Sequence, residues 1–318
     1  MKILKLIPPV KDYIWGGTRL SKEYDITSFC DRQAEAWMLS CHKDGESVIS
    51  GGPYDGRTLS DVLSNEGKSF LGKNCEKFDF FPVLIKLIDA KDNLSVQVHP
   101  TDDYALKNEN QYGKTEAWYV LDCCEGAQII YGLKEDMTKQ QLRSSIENGT
   151  LLDKVNRIDV KKGEMYFIPG GTIHAICKGI LLAEIQQNSN VTYRVYDYGR
   201  LQNGKPRELH IDKAVDVINL KAVPPEPTVP IIEHSGDYEA VCLTKCEYFT
   251  VRRLEIKESA VFEADDTSFV SLVAVEGNGV VRHGDSFTTL YKGESVFIPA
   301  SLGEYEIMGE VTVIETRV

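Results

Sequence analysis

Short segments rich in β-branched and aromatic residues recur along the chain, and clusters of glycine, asparagine and aspartate separate them at short intervals. This spacing is typical of antiparallel sandwiches and barrels. We therefore predict a mainly β chain, with its clearest strands at residues 95–99, 115–120, 164–168, 180–186, 248–256, 268–275 and 311–316. Only short helices are expected: near residues 59–63, after a capping box of Thr138 and Gln141, and within residues 208–220.

A proline-rich segment divides the chain unequally. Four prolines lie within residues 223–230, and this density excludes regular helix and sheet, so we predict a linker there and a domain boundary near residue 232. A similar short sequence occurs on each side of this boundary, since Gly163-Glu-Met-Tyr-Phe-Ile-Pro recurs as Gly293-Glu-Ser-Val-Phe-Ile-Pro. We call this repeat the sequence echo. In each copy a glycine precedes a strand pattern that ends at proline, which favours two related barrels over a chance match.

The charge balance and the cysteines limit the expected partners and location. A formal net charge of −12 argues against nucleic acid and anionic membrane surfaces as partners, since both are themselves anionic. The eight cysteines lack zinc-finger spacing, and the N-terminal segment, with its two prolines, is a poor signal peptide. We therefore expect free thiols, a cytoplasmic location and no membrane segment. The charge says nothing about a small-molecule substrate, which is the expected partner on other grounds, and the oligomeric state is left open between monomer and homodimer.

Two side chains of metal-ligand type alternate on one predicted strand. Within residues 95–99, Gln97 and His99 point to the same face and lie about 6.5 Å apart along the strand. Glu116 can come from a neighbouring strand, and His174 from a glycine-containing turn. Nitrogen and oxygen ligands of this kind suit zinc, and also iron or manganese. We therefore predict a divalent metal ion, with zinc preferred, held by Gln97, His99, Glu116 and His174.

Part of this ligand set falls in a pattern that is specific for one kind of barrel. Residues 163–174 have the form Gly-x5-Pro-x-Gly-x2-His, which resembles the second cupin motif. Gln97-x-His99 followed by Glu116 resembles the first, with glutamine in place of the usual first histidine and a longer gap before the carboxylate. The resemblance implies two cupin-like antiparallel β-barrels, or jelly rolls, with a few short helices. The remaining histidines match no motif and are interpreted as structural or surface residues: His42, His210, His234 and His283.

The metal pattern assigns different roles to the two predicted domains. Residues 1–232 contain all four candidate ligands, so we expect a metal-binding catalytic domain with short helical additions. Residues 233–318 are expected to form a degenerate cupin-like β domain without metal. The reason is that Glu304 stands where the first copy has His174, and no His-x-His-like pair precedes it.

Basic residues lie in the same segments although the chain as a whole is acidic. Lys86 interrupts an otherwise apolar strand pattern, Lys114 shares a strand face with the candidate carboxylate ligand, and Arg194 lies on another strand. Together they favour a positive pocket for an anionic substrate such as a sugar phosphate. The alternative is that Lys86 and Arg194 only pair with neighbouring aspartates. Glu35 and Trp15 are further candidates for the pocket wall, although an aromatic residue is more often part of a core.

Longer motifs are spread along nearly the whole chain: Trp15-Gly-Gly, Ala34-Glu-Ala-Trp, Leu84-Ile-Lys-Leu-Ile-Asp-Ala, Leu94-Ser-Val-Gln-Val-His-Pro, Gly113-Lys-Thr-Glu-Ala-Trp, Ile168-Pro-Gly-Gly-Thr-Ile-His-Ala, Glu184-Ile-Gln-Gln-Asn-Ser and Tyr193-Arg-Val-Tyr-Asp. Together they resemble the type I mannose-6-phosphate isomerases, in the shorter bacterial form that lacks an inserted helical domain. This resemblance implies one zinc ion, with ligands at Gln97, His99, Glu116 and His174. It also implies an active-site arginine at Arg194.

The same resemblance implies interconversion of mannose 6-phosphate and fructose 6-phosphate through a cis-enediol. The expected catalytic residues are Arg194, Lys114 and Glu184, and the expected substrate-binding residues are Lys86, Trp15 and Glu35. The base that moves the proton is left open between Glu184, Lys114 and a metal-bound water. One departure is visible, because Asn190 stands four residues before the arginine, where relatives often carry an acid.

Two other functions are compatible with the same ligands. His99, Glu116 and His174 alone form the 2-His-1-carboxylate set of non-haem iron dioxygenases. A non-catalytic sugar-phosphate-binding barrel could hold a purely structural metal with four protein ligands. Oxygen consumption with bound iron would indicate the first function, and sugar-phosphate binding without turnover the second.

Overall fold

The computed structural model of the protein describes residues 1–224 and 226–318, with 44% of the chain in strands and 16% in helices. The prediction of a mainly β chain with few helices is confirmed. Within the described residues, no helix is both long enough and apolar enough to cross a lipid bilayer. All eight cysteines are free thiols.

The helices and the strands of the first half have the following bounds. The helices are α1 (Arg19–Tyr24), α2 (Leu59–Glu66), α3 (Asp102–Glu109), α4 (Lys139–Glu147) and α5 (Ile211–Val217). The strands are β1 (Leu4–Ile7), β2 (Val10–Lys11), β3 (Glu35–Leu39), β4 (Cys41–His42), β5 (Gly45–Glu46), β6 (Val48–Ser50), β7 (Val83–Ala90), β8 (Val96–Val98), β9 (Glu116–Cys123), β10 (Gln128–Leu133), β11 (Val155–Asp159) and β12 (Met165–Ile168).

The remaining strands run to the end of the chain. They are β13 (His174–Ile176), β14 (Ile180–Gln187), β15 (Tyr193–Tyr196), β16 (Leu201–Gln202), β17 (Lys205–Pro206), β18 (Ile231–Ser235), β19 (Tyr238–Lys245), β20 (Thr250–Ile256), β21 (Ser259–Ala264), β22 (Val270–His283), β23 (Ser286–Tyr291), β24 (Ser295–Ile298), β25 (Gly303–Met308) and β26 (Val311–Arg317). Every strand predicted from the sequence is therefore present, with shifts at its ends.

Two facing sheets enclose the predicted site. A six-stranded sheet has the order β12-β9-β14-β7-β3-β2, and a five-stranded sheet has the order β11-β10-β13-β8-β15. Their facing sides share one cluster of buried apolar residues, with Ile88 and Trp118 from the first sheet and Ile129 and Ile176 from the second. The predicted ligands come from both sheets and meet in the space between them.

Each of these sheets is also covered on its outer side. The five-stranded sheet packs against α4 and α5 through a cluster that includes Val98, Leu142 and Ala214. The six-stranded sheet packs against an eleven-stranded sheet, whose main path is β18-β19-β20-β26-β22-β24-β1-β6, through Ile85 and Phe297 among others. The site therefore lies in the inner layer of the molecule.

The central strands of the six-stranded sheet are buried on both faces. All eight residues of β7 and all eight residues of β14 are buried, and strands in such a position have mostly apolar sequences. Lys86 and Glu184 are charged residues near the middle of these strands, and they stand opposite each other in register. Because a buried charge needs a partner, their positions already indicate a polar site between the sheets.

The N-terminal strand belongs to the sheet of the C-terminal half, since β1 pairs with β24 and Leu4 stands opposite Phe297. The predicted linker 223–230 contains Pro225, which lies outside the described residues. The other residues of that segment form neither helix nor strand. The boundary near residue 232 stays a prediction.

The predicted helices correspond to α2, α4 and α5, and the capping box of Thr138 and Gln141 is present at the start of α4. The sequence did not lead us to α1 and α3. In α3 the single buried side chain is that of Ala105. A helix of this kind lacks the apolar stripe by which helices are recognised in sequences.

The two copies of the sequence echo share a backbone conformation but differ in their surroundings. Gly163 and Gly293 have φ values of +89° and +87°, and each precedes a strand that ends before a proline. A Cβ atom on Gly293 would lie 1.9 Å from the carbonyl oxygen of Tyr24, whereas a Cβ atom on Gly163 would have nothing within 4 Å. Backbone conformation therefore favours glycine in both turns. At Gly293 the close approach of the Tyr24 carbonyl is a second reason.

We expect Gly293→Ala to lower the free energy of unfolding by about 2 to 4 kcal/mol, from left-handed backbone strain and a backbone clash together. Gly163→Ala is the matched control and should lose only about 1 to 2 kcal/mol, from the strain alone. Urea unfolding followed by circular dichroism measures both losses. Equal losses in the two variants would contradict the contact between the Gly293 turn and Tyr24.

Candidate active site

The strand positions of the predicted metal ligands bring them to one region. Gln97 is the middle residue of β8, and His99 follows directly after that strand, so both side chains leave the same strand face. His174 begins β13 and stands opposite Gln97 in the register of these two strands. Glu116 begins β9 in the facing sheet. Ligand atoms therefore approach one point from both sides of the sandwich.

Three of the four predicted ligands form a buried cluster. The ligand atoms of His99, Glu116 and His174 lie within 4.8 Å of one another. The two Nε2 atoms are 3.2 Å apart, and carboxylate oxygens of Glu116 lie 3.5 Å from Nε2 of His99 and 3.3 Å from Nε2 of His174. Gln97 lies at the edge of the cluster, with its Nε2 3.5 Å from Nε2 of His174.

Hydrogen bonds decide which nitrogen of each imidazole faces the cluster. Nδ1 of His99 lies 2.8 Å from the carbonyl oxygen of Val191, and Nδ1 of His174 lies 2.8 Å from the carbonyl oxygen of Thr172. A carbonyl oxygen only accepts, so Nδ1 donates in both residues and each Nε2 presents a lone pair. Burial lowers the pKa of His174 to about 4, and burial followed by Lys114 lowers the pKa of His99. Both imidazoles are therefore neutral near pH 7, which is the form that binds a metal.

The carboxylate of Glu116 is fully buried and has few partners. Among the described residues neither of its oxygens accepts a well-directed hydrogen bond, although Nζ of Lys114 forms an ion pair with Oε2 at 2.6 Å. Burial, followed by the nearby Glu184, raises the pKa of Glu116. A cation at the cluster would stabilise the ionised carboxylate. Two neutral imidazoles and one carboxylate therefore fit a divalent metal ion.

A cavity of about 280 Å³ lies beside the cluster. Its wall includes Gln97 and all of the predicted catalytic and substrate-binding residues: Arg194, Lys114, Glu184, Lys86, Trp15 and Glu35. His99, Glu116 and His174 lie behind this wall, and Nζ of Lys114 is 3.2 Å from Nε2 of His99. The structure thus brings every predicted catalytic, substrate-binding and metal-ligating residue to one place, while their individual roles stay predictions.

Oppositely charged side chains alternate along the cavity wall. Nζ of Lys86 lies 3.4 Å from Oε2 of Glu35 and 3.1 Å from Oε1 of Glu184, and Nζ of Lys114 lies 3.7 Å from the same oxygen of Glu184. Lys86 therefore pairs with glutamates of the cavity and not with a neighbouring aspartate. Burial acts to lower the pKa of Lys86, but Glu35 and Glu184 outweigh it and raise that pKa. Burial acts to raise the pKa of Glu184, but Lys114 and Lys86 outweigh it and lower that pKa.

Two glycines allow Trp15 to reach the cavity wall. A Cβ atom on Gly16 would lie 2.6 Å from Cα of Ala34, and a Cβ atom on Gly17 would lie 2.1 Å from Oδ2 of Asp89. Because only glycine permits such close approach, this turn packs tightly against the six-stranded sheet. Trp15 itself is 4% exposed and lines the cavity.

Arg194 has no carboxylate partner in the part of the chain that the structure describes. Its Nε donates to Oγ of Ser95 at 3.3 Å, and one terminal nitrogen donates to the carbonyl oxygen of Glu208 at 2.9 Å. Asp197, the neighbour considered as its ion-pair partner, instead accepts two hydrogen bonds from Arg207. Burial, followed by the positive charge of Arg207, lowers the pKa of Arg194. Within the described residues, the guanidinium of Arg194 is therefore a cation without an anionic partner, and it could bind an anion that enters the cavity.

Arg207 is a cavity residue that sequence reasoning missed. It lines the cavity described above and also an adjoining one of about 440 Å³, and the two cavities share Tyr13, Arg194 and Arg207. Arg207 follows the short hairpin of β16 and β17 and belongs to none of the motifs. The available signal was the basic pair Lys205 and Arg207 beside the turn at residues 203–204.

Asn190, which departs from the family pattern, also lines the cavity. Its Nδ2 donates a hydrogen bond of 2.9 Å to Oδ2 of Asp44, which lies between β4 and β5. A carboxylate is therefore present at this edge of the cavity, although it comes from a different segment.

Comparisons with known proteins show which family the chain belongs to. The family model described as "Phosphomannose isomerase type I, catalytic domain" matches residues 3–122, and the one described as "Mannose-6-phosphate isomerase, cupin domain" matches residues 240–318. The chain is 40% identical to mannose-6-phosphate isomerase ManA of Bacillus subtilis over 304 residues, which cover 95% of this chain and 94% of that protein. The chain belongs to the type I mannose-6-phosphate isomerase family.

Further members of the family are similarly close. The mannose-6-phosphate isomerase of Streptococcus mutans is 38% identical over 96% of this chain and 94% of its own length. The crystal structure of the mannose 6-phosphate isomerase from Bacillus subtilis matches the whole of both chains with a TM-score of 0.93 and 38% identity. The prediction of a mannose-6-phosphate isomerase is therefore confirmed over its two alternatives, an iron dioxygenase and a non-catalytic binding barrel.

Proposed function

We propose that this chain is a metal-dependent mannose-6-phosphate isomerase, which interconverts mannose 6-phosphate and fructose 6-phosphate. The observation that carries the proposal is the cluster of His99, Glu116 and His174 directly behind the wall of a cavity rich in cations. An aldose–ketose shift needs positive charge near the C1 and C2 oxygens of the sugar. Binding of the phosphate needs a second group of cations at a distance from the first.

The metal proposed for the cluster is zinc, one ion per chain. Two imidazole nitrogens and a carboxylate oxygen are common zinc ligands, and Gln97 is proposed as the fourth. A half-turn of the Gln97 amide would exchange Nε2 and Oε1 and direct an oxygen towards the cluster. When bound, zinc polarises the oxygens on C1 and C2 and stabilises negative charge on them.

The phosphate group of the substrate is assigned to Arg194 and Arg207. Arg194 donates to Ser95, which precedes Gln97 by two residues, so its guanidinium lies roughly 6 to 7 Å from the metal cluster along the strand direction. The reacting carbons and the phosphate stand at opposite ends of an open-chain hexose 6-phosphate. Both ends can therefore be bound at once, and Lys205 in the adjoining cavity adds a further positive charge.

Glu184 is the base in this proposal, and Lys114 is its partner. The carboxylate of Glu184 takes the proton from C2, and the electron pair of the C–H bond forms the C1–C2 double bond as negative charge develops on O1. The ammonium group of Lys114 stabilises that charge, and the proton of the O2 hydroxyl passes to O1. Return of the first proton to C1, with a carbonyl formed at C2, gives fructose 6-phosphate.

The arrangement of the chain in this proposal is two cupin barrels divided near residue 232. The facing five- and six-stranded sheets, with the ligands between them, would form the first barrel, and the eleven-stranded sheet would contain the second. Supporting observations are the cupin-domain match at residues 240–318 and the shared turn-and-strand conformation at Gly163 and Gly293. A monomeric or dimeric enzyme in the cytoplasm is the accompanying proposal for its state and location.

The proposed function is tested by turnover of mannose 6-phosphate to fructose 6-phosphate, before and after treatment with a chelator. We expect chelation to abolish turnover and added zinc to restore it more fully than iron or manganese. Circular dichroism of the chelated protein controls for unfolding. Turnover that persists in metal-free protein would contradict the metal dependence, and no turnover in a folded, zinc-loaded sample would contradict the isomerase itself.

A further inference from the structure

Two buried tryptophans donate hydrogen bonds to the two carboxylates of the cavity wall. Nε1 of Trp118 donates to Oε2 of Glu184 at 2.9 Å, and Nε1 of Trp37 donates to Oε2 of Glu35 at 2.7 Å. The exposure of Trp118 is 1% and that of Trp37 is 0%. The proposed reaction assigns no role to either residue.

In the register of the six-stranded sheet, the residues that make these contacts lie side by side on four neighbouring strands. Trp37 stands opposite Lys86, Lys86 opposite Glu184, and Glu184 opposite Trp118, across the neighbouring strands β3, β7, β14 and β9. Paired residues of adjacent strands project from the same face of the sheet, so all four side chains lie on one face; Lys86 and Glu184 line the cavity, and the two tryptophans are buried beside them. Nζ of Lys86 also lies 5.4 Å from the ring centroid of Trp37.

The hydrogen bond from Trp118 gives the two carboxylate oxygens of Glu184 different surroundings. Oε2 is occupied by the N–H of Trp118, while Oε1 lies towards Lys86 and Lys114 and accepts no well-directed hydrogen bond within the described residues. Without the indole N–H, the carboxylate could rotate and bring both oxygens to the lysines. The hydrogen bond therefore holds one oxygen in place and leaves the other available to the cavity.

We infer that Trp118 and Trp37 are positioning residues for the isomerisation, because their indole N–H groups fix the carboxylates of Glu184 and Glu35 on the two sides of Lys86. Trp118 acts through the proton-transferring carboxylate, and Trp37 acts through the ion pair that fixes the ammonium group of Lys86. This inference rests on the proposed function for its catalytic meaning. The hydrogen bonds themselves can be tested independently of turnover.

The first test is a pair of crossed double-mutant cycles on the metal-loaded full chain. Trp118→Phe removes the N–H and should lower kcat roughly tenfold to a hundredfold, with KM changed less than about threefold, as for loss of a hydrogen bond to a charged group. In a chain that already carries Glu184→Gln, Trp118→Phe should lower kcat no further. In a chain that carries Glu35→Gln, it should lower kcat by the same factor as in the wild-type chain, so that the two losses multiply. Trp37→Phe should show the reverse pattern, with no further loss beside Glu35→Gln and a multiplied loss beside Glu184→Gln. It is the matched control because it replaces a buried tryptophan by phenylalanine and leaves a similar cavity.

Metal content is measured for each variant, because the Trp118 ring lies edge-on to the His174 ring at a centroid distance of 5.3 Å. We expect full metal content in Trp118→Phe. Multiplicative loss in the Trp118→Phe/Glu184→Gln variant, or lost metal in Trp118→Phe, would overturn the inference, since the tryptophan would then act through packing or through the metal site.

The second test reads the hydrogen bonds directly. The chain has three tryptophans, so a ¹⁵N-labelled sample gives three indole N–H signals. Glu184→Gln should shift the Trp118 signal alone, and Glu35→Gln the Trp37 signal alone, with assignments from the Phe variants. Unchanged indole signals would overturn the inference whatever the turnover. If the wild-type chain fails to isomerise mannose 6-phosphate, the proposed function fails, and the inferred positioning role falls with it even where the shifts are seen.

Discussion

His174→Ala is expected to lower kcat/KM for mannose 6-phosphate by on the order of 10³-fold, because stabilisation by a catalytic metal amounts to several kcal/mol. The imidazole of His174 is buried, and its Nε2 is 3.2 Å from that of His99 and 3.3 Å from the carboxylate of Glu116. Removal of one of three clustered ligand atoms should also leave less than a full equivalent of metal after dialysis. Steady-state kinetics and metal analysis of the same samples measure both effects.

Two further variants make this result interpretable. His174→Gln keeps more of the buried volume and should lose activity to a similar degree, which separates loss of the ligand from loss of packing. His234→Ala removes an exposed histidine of the eleven-stranded sheet and should leave turnover and metal content unchanged. A folded His174→Ala protein with full metal and wild-type turnover would exclude this cluster as the metal site.

Arg194→Ala is expected to lower kcat/KM by on the order of 10² to 10³-fold, mainly through a higher KM. A hydrogen bond to a charged group contributes about 1.5 to 3 kcal/mol, and an arginine can make two of them to one phosphate. Arg194 has no carboxylate in the described residues that could take the place of the phosphate. Arg207→Ala should give a smaller increase in KM, on the order of tenfold, because Arg207 is already paired with Asp197. Initial rates over a wide range of substrate concentration separate KM from kcat.

A comparison with inorganic phosphate tests the reason for the Arg194 effect. Phosphate should inhibit the wild-type enzyme competitively, and it should inhibit Arg194→Ala at least about tenfold more weakly. Arg143→Ala, which removes an arginine from the surface of α4, is the control and should change neither constant. A lower kcat with unchanged KM and unchanged phosphate inhibition would instead place Arg194 at the reacting carbons.

Local patterns were sufficient to predict the cluster of His99, Glu116 and His174. Gln97 and His99 are separated by one residue, and a strand geometry puts such side chains on one face whatever the rest of the chain does. The glycines, the proline and the histidine of residues 163–174 belong to the two turns on either side of β12 and to the start of β13. Each of these features depends on a few consecutive residues. The structure accordingly places His99, Glu116 and His174 together.

The partners of the charged residues were not predictable in the same way. From the sequence, Lys86 and Arg194 had nearby aspartates as possible partners, and only the pairing of distant strands shows that Lys86 meets Glu35 and Glu184. The position of Arg207 in the cavity depends on the path of a hairpin that carries no motif. Ion pairs of this kind have little sequence signature, because any long charged side chain can reach any oppositely charged one that the fold brings near.

The amino-acid sequence by itself determined the mainly β character of this chain, the approach of His99, Glu116 and His174 to one another and the presence of cations around them, because strand alternation and turn chemistry act over a few residues. The tertiary structure decided the order of the charges along the cavity, the contact of Trp118 with Glu184, and the pairing of β1 with β24. These features join residues far apart in the chain. They follow from the packing of one sheet on another, which short-range patterns do not specify.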